Sequence, residues 1–290
     1  MRKPFFVLNL IVIFAFLILT ACGSNSESTS SSPSDKSSSA DRKASNLPDL
    51  PDDIKKKGKL VIGVKVDFPP FGSMDASGKN VGYDIDFAKK LAEFAFGDAN
   101  AVEFVPVTSD NRIPFLNSKK VDLLIASLAA TDERKKVVDF TDPYFGTSNL
   151  TLVKKDSNIK ELKDLEGKTV ITLKGSTEAL ALQKAVPSAQ QLQLTTLAEQ
   201  LQALKDDRGV AMVKDESVLY KIVDQDSSYK IVGEPFEPMA IAAAVRKGDT
   251  EYLNWLNAAI KEVSSQDLFY KWFKNWFPEF KNTPQLLPRP

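Results

Sequence analysis

The residues best equipped for chemistry gather in the stretch Ser127–Phe145, SLAATDERKKVVDFTDPYF, which follows directly on the apolar run VDLLIA at 121–126. Thr131 stands where a helix N-cap would, and Asp132 and Glu133 occupy the first turn, where acids favour the positive end of a helix. Arg134 comes next. Just past the carboxyl end of a strand, its planar fork is sited to take a small anion such as a carboxylate bidentately. The same stretch also reads as an Arg–Asp salt bridge on a solvated helix, and on these residues alone both readings stand. Acid–base chemistry has less to work with. Carboxylates come in pairs, Asp84 with Asp86 and Asp139 with Asp142, but the chain has no His and a single Cys. The commonest general base and metal ligand are therefore missing, and neither an internal disulfide nor a thiolate metal cluster can form. Asp84 and Asp86 open an expected helix, where capping is the simpler role. No cofactor, metal site or enzymatic constellation is expected.

The elements that must position these residues alternate in type. Strands are expected at KLVIGVK (59–65), AVEFVPV (101–107), VDLLIA, KTVITLK (168–174), VAMV (210–213) and IAAAVR (241–246). The apolar spacing Ile85, Ala88, Leu91, Ala92, Ala95 predicts a helix over Tyr83–Phe96 with Gly97 as its stop. A short helix carries Arg112. Such alternation argues for an α/β fold with largely parallel sheets covered on both sides. The tail at 249–277 is helical, and its Trp255, Phe269, Trp272, Phe273 and Trp276 read as core.

Composition bounds the class. The 290 residues, 43% hydrophobic and 26% charged with zero net charge, describe a globular protein of about two domains with no pull toward nucleic acid. At the N-terminus Arg2 and Lys3 precede an apolar run from Phe5 to Leu19 that ends in Leu19-Thr20-Ala21-Cys22. This run is short for a membrane span and resembles the lipobox of bacterial lipoproteins. The resemblance implies a signal peptide over 1–22, cleavage before Cys22 and a diacylglycerol on its sulfur, with palmitate among the fatty acids. The Ser-rich stretch 23–46 is too polar to bury a core and is expected to be a flexible tether.

Four later segments carry a family resemblance. They are GVKVDFPPFGSMDASGKNVGYDIDFAKKLA (63–92), KVDLLIASLAATDERKKVVDFTDPYF (120–145), DLEGKTVITLKGSTEA (164–179) and VAMVKDE (210–216). In order, spacing and residue type they resemble the bacterial extracellular solute-binding proteins of family 3, the polar amino-acid binding components of ABC importers. The resemblance implies a two-lobed, periplasmic-binding-protein-like type II fold with two crossover strands near 147–152 and 238–244. Lobe 1 would combine 47–148 with the helical tail at 242–290, and lobe 2 would be 149–241. It implies further a monomer, anchored to the cell membrane through its lipid on the extracellular or periplasmic side. Its partners would be an amino-acid ligand and the permease and ATPase subunits of the importer.

Carried over position by position, Arg134 matches the Arg that clamps the ligand α-carboxylate, with Ser127 and the Ala129 backbone nearby. Thr177 matches a hydroxyl and amide that take the same carboxylate from the second lobe. Asp215 matches the acid that holds the α-ammonium, although a shifted local pattern leaves Glu216 as the alternative. Phe68 matches the aromatic packed on the ligand's carbon chain, while Phe71 reads as core. Lys65 and Arg112, two cations placed at the side-chain end, suit a glutamate or aspartate ligand; the same residues also read as Lys65 pointing to solvent and Arg112 bonding a neighbouring carbonyl or acid. The alternatives are glutamine or cysteine/cystine, and, further off, a dehydratase-like enzyme on the same fold.

Overall fold

The computed structural model describes residues 47–280 and 287–288. Cys22, the 1–22 leader and the 23–46 tether lie outside the described residues. Helix α1 (Asp52–Lys57) stops at Gly58, whose left-handed backbone (φ 64) returns its amide to the Lys55 carbonyl. Strand β1 (Leu60–Val64) follows, then a small antiparallel sheet of β2 (Asp67–Phe68), β3 (Gly72–Met74) and β4 (Asn80–Val81). Helix α2 runs over Tyr83–Phe96, the span its apolar spacing predicts, and ends on Gly97 at φ 73. Strand β5 (Val102–Pro106), helix α3 (Arg112–Asn117), strand β6 (Leu123–Leu124) and helix α4 (Asp132–Lys135) lead into the long strand β7 (Val138–Lys154).

Beyond β7 come β8 (Thr169–Leu173), α5 (Glu178–Ala185), β9 (Gln190–Leu194), α6 (Leu197–Lys205), β10 (Ala211–Asp215) and α7 (Glu216–Gln225). A second long strand, β11 (Tyr229–Arg246), returns to the first half, and α8 (Thr250–Ser265) and α9 (Leu268–Trp276) follow it.

The main sheet has the order β5-β1-β6-β11-β7-β10-β8-β9. Parallel pairing is confined to its two wings, β5-β1-β6 and β10-β8-β9. Between them β7 and β11 pair antiparallel from Val138↔Arg246 to Lys154↔Tyr229. The expectation of largely parallel sheets therefore holds for the wings and fails at the centre, because two strands that each run through both halves must pass in opposite directions. Register shifts cluster where β11 passes from Val232 to Ala244, opposite Phe140–Thr151 of β7, so the ladder is irregular where the chain crosses between halves.

Each half is covered on both faces. Ile62, Leu91, Phe145, Trp255 and Phe269 belong to the largest buried cluster, which extends to Met212 and Leu219 in the second half. Leu116, Val121, Leu124 and Ala244 fill the opposite face of the first half, and Val153, Val170, Leu182 and Val213 that of the second. The tail is two helices rather than one. Asp267, at φ 55, breaks it between α8 and α9 and lets the aromatic face of α9 turn onto α2. VDLLIA supplies a ladder only at Leu123–Leu124, since the backbone turns away at Ser127 with φ 46.

Candidate functional site

The ends of these elements meet in one cavity between the two halves of the sheet. Lys65 follows β1, Phe68 lies in β2, Arg112 begins α3, Ser127 and Ala129 follow β6, and Arg134 lies in α4. From the second half come Thr177 at the start of α5 and Asp215 at the end of β10. All eight ligand-binding candidates named from the sequence line the same cavity. Phe71 does not; it is buried edge-on against Phe145 and Phe277.

On the first wall, polar side chains hold backbone. Arg134 is placed by Thr131, whose hydroxyl accepts the Arg134 amide at 3.3 Å as an N-cap. Its guanidinium donates to Ala129 O at 2.9 Å and across the cleft to Gly175 O at 3.0 Å. Burial holds its pKa below the ordinary arginine range, with Glu178 opposing the shift. Arg112 is buried and donates to the carbonyls of Ala126 (2.7 Å) and Ser127 (3.3 Å), leaving Nε without a partner. Burial, then the nearby Arg134 charge, brings it down to about 9.

The Ser127 turn is gripped from its other side as well. Its amide donates to Asp84 Oδ2 at 2.9 Å, and Tyr144 donates to Asp84 Oδ1 at 2.9 Å. Asp84 is therefore not a helix cap but a buried support for the cavity rim. Burial pushes its carboxyl up to about 7 despite these hydrogen bonds. Asp86 is likewise no cap, since it accepts the Trp276 indole N–H at 2.6 Å and ties α2 to α9. Gly82, with no side chain to cap, occupies the N-cap position of α2.

Lys65 is 1% exposed. Its ammonium has only long contacts, 3.5 Å to Ser109 Oγ and 3.5 Å to Asp67 Oδ1, and sits 5.1 Å from the Phe68 ring centroid. Burial lowers it to about 8, with Asp67 opposing and Arg112 and Lys214 adding to the fall.

The second wall pairs charge with charge. Lys214, fully buried, donates to Glu178 Oε1 at 3.0 Å and reaches across to lie 4.5 Å from the Phe68 ring centroid. Burial pushes the Glu178 carboxyl up, but the Lys214 ammonium outweighs it and holds the pKa below the ordinary carboxylate value. Asp215 accepts Thr147 Oγ1 at 2.8 Å and the Ser217 amide at 3.0 Å and hydroxyl, so it also caps α7. Burial raises its pKa against these bonds. Glu216 points elsewhere, accepting the Ser148 amide at 3.0 Å, and does not line the cavity. Thr177 makes no side-chain cap bond to α5, and its hydroxyl lies 3.3 Å from Met239 Sδ.

Sequence reasoning passed over Ser109, Asn149, Glu178 and Lys214. Glu178 stood inside a quoted motif, one residue past Thr177. A Glu in the first turn of the helix expected to face an anion was the available signal. Among the described residues, no group of three or more His, Cys, Asp or Glu side chains could hold a metal ion.

This cavity gathers a fixed cation, a buried acid and an aromatic face, the complement of a zwitterion with a carbon chain. Comparison with known proteins agrees with that chemistry. The sequence model for bacterial extracellular solute-binding proteins, family 3, matches residues 60–279. The chain is 37% identical over 279 residues to the ABC transporter glutamine-binding protein GlnH of Bacillus subtilis (strain 168), covering 96% of this chain and 98% of that one. It is 42% identical over 212 residues to a glutamine-binding protein of Geobacillus stearothermophilus, covering 72% and 79%. The crystal structure of a cysteine-binding protein from Campylobacter jejuni superposes with a TM-score of 0.77 at 36% identity, covering 81% of this chain and 96% of that one.

Proposed function

Since the chain belongs to the bacterial extracellular solute-binding proteins, family 3, we propose that it captures L-glutamine between its two lobes and delivers it to the permease of an ABC importer. The observation that carries the reading is the convergence of Arg134 from one half and Asp215 from the other on a cavity floored by Phe68. An α-carboxylate against Arg134 and an α-ammonium against Asp215 would make two charge-assisted contacts, one to each half. A ligand that bridges the halves in this way favours the closed arrangement by its differential affinity. Nothing in this arrangement calls for turnover, and binding without chemistry is the role proposed.

The side-chain preference departs from the acidic ligand implied by Lys65 and Arg112. Arg112 is committed to two backbone carbonyls, and Lys214 to Glu178. Glu178 also places a carboxylate in the cavity lining, which disfavours a second ligand carboxylate. Relatives named as glutamine-binding support the neutral amide. Glutamate is the second reading, favoured by the long contacts of Lys65.

We place the protein outside the cytoplasmic membrane, held by a lipid on Cys22. Among the described residues no helix is long and apolar enough to cross a membrane. Cys22→Ala should release the protein from the membrane fraction, or leave its leader uncleaved, without altering ligand affinity. Thermal-shift screening of the full chain in detergent against the natural amino acids tests the ligand. Glutamine at a hundredfold its Kd should stabilise by about 2.7 kcal/mol. A larger shift with any other amino acid, compared at equal concentration, would remove glutamine from the reading.

A further inference from the structure

Glu178 is the one cavity-lining carboxylate with an orphaned oxygen among the described residues. It is 4% exposed, and its Oε1 is taken by Lys214 at 3.0 Å, while its buried Oε2 has no hydrogen-bond partner. The Ser176 hydroxyl beside it does not fill the gap, because it donates to Leu173 O at 2.6 Å. A buried acceptor left open costs free energy, so its retention at a cleft wall points to a donor that arrives with the ligand. Lys214 stands behind the carboxylate and balances its charge, so Glu178 stays ionised and remains an acceptor only.

Opposite it, from the first half, Lys65 lines the same cavity with an ammonium that has no contact shorter than 3.5 Å. Lys65 and Lys214 both lie near the Phe68 ring, at 5.1 and 4.5 Å from its centroid, which places Glu178 and Lys65 at the same end of the cavity. Arg112 Nε and Asn149 Oδ1 in the same lining are unpaired as well, but near the Phe68 ring the cavity offers an open carboxylate acceptor from the second half and a weakly engaged ammonium donor from the first. A carboxamide presents the matching pair, an NH2 that only donates and an oxygen that only accepts. A carboxylate has no proton for Glu178, and an ammonium or guanidinium has no acceptor for Lys65.

Resting on the reading of the cavity as an amino-acid site, we propose that Glu178, charge-balanced by Lys214, is the residue that selects a carboxamide side chain. Its Oε2 accepts from the ligand's amide NH2 while Lys65 donates to the amide oxygen. Selection therefore operates across the cleft. A glutamine side chain would satisfy both walls only when the halves are together, whereas glutamate would meet Lys65 and be repelled by Glu178.

Calorimetric titration of the full chain in detergent, freed of co-purified ligand by dialysis, tests this with three probes. These are L-glutamine, L-glutamate and 5-oxo-L-norleucine, the isostere in which a methyl group replaces the amide NH2. Glutamine should bind at least about tenfold more tightly than either, since each leaves Oε2 without its donor. Glu178→Gln keeps the shape of the side chain and removes its charge, and it should shrink the glutamine-over-glutamate ratio by at least about tenfold. Should that variant fail to fold with Lys214 unpaired, the methyl isostere on the parent protein decides alone. Glutamine and the isostere binding within about twofold of each other would overturn the role of Glu178 and leave the amino-acid site standing. So would an unchanged ratio in a folded Glu178→Gln variant. Failure of every natural amino acid to bind the parent protein would instead overturn the site reading, and the inference with it.

Discussion

The two walls of the cleft solve the same problem differently. On the first wall, Arg112, Arg134 and Asp84 hold backbone, gripping the carbonyls of Ala126, Ser127 and Ala129 and the amide of Ser127. On the second, Glu178 and Lys214 hold each other, and Asp215 is held by two hydroxyls and an amide. A wall that grips its own backbone fixes the shape of a rim, which suits groups every amino acid shares. A wall whose charges are balanced by one another keeps a defined polarity facing the ligand, which suits the group that differs. The shared α-carboxylate therefore falls to Arg134 on the first wall and the shared α-ammonium to Asp215 on the second, while choice among side chains rests on the balanced pair Glu178 and Lys214 facing Lys65.

The largest expected effect probes the shared groups. Arg134→Ala should weaken glutamine binding by roughly 2–5 kcal/mol, because a desolvated ligand carboxylate loses its partner. The loss should be nearly equal for glutamine and glutamate, and calorimetry on both checks it. A strong change in their ratio would blur the distinction between the walls. The fold should survive, since Arg134 lies on a short helix outside the buried clusters.

Asp84→Asn should come second, at roughly 1–3 kcal/mol of affinity, because it disturbs the Ser127 rim without touching the ligand. Its pH signature sharpens the comparison. Asp84 binds its proton more readily folded than unfolded, having been raised to about 7 by burial. Its contribution to stability is therefore complete below about pH 4 and is lost as pH rises to about 7. Melting temperatures measured across that window should fall less steeply in Asp84→Asn than in the parent. Glu216, also raised to about 7 by burial and by Asp215, keeps a slope of the same sign in both.

The smallest effect concerns the contact between the walls. Gly175 has φ 74, and a Cβ there would stand 2.6 Å from the Asp110 Cα of the opposite half. Gly175→Ala should lower stability by about 1 kcal/mol through backbone strain and weaken binding of glutamine and glutamate alike by holding the halves apart. Small-angle scattering of the ligand-saturated variant should give a larger radius of gyration than the parent.

The difference between the walls also explains what could be read from the sequence. Helix α2 announces itself through its apolar spacing and Gly97, and Arg134 through the Thr131 cap and the acids beside it. These are local signals. Lys214 and Glu178 belong to different segments, and only the packing of α5 over β10 brings them within 3.0 Å. No residue near Lys214 in the chain marks it as buried, yet it is fully so. Asp84 was misassigned as a cap for a related reason. Its position in the first turn is local information, whereas its bonds to Ser127 and Tyr144 cross 43 and 60 residues of chain. The antiparallel centre of the sheet was equally hidden, because the pairing of β7 with β11 joins segments far apart in sequence.

The central claim is that the two walls bracket the α-carboxylate and α-ammonium of one ligand, Arg134 from one side and Asp215 from the other. Calorimetry of the full chain with L-glutamine, with 4-aminobutanamide lacking the α-carboxylate, and with glutaramic acid lacking the α-ammonium tests it most directly. Each truncated compound should bind at least about a hundredfold more weakly than glutamine, since each leaves one buried wall charge unpaired. Either one binding as tightly as glutamine would contradict the bracket.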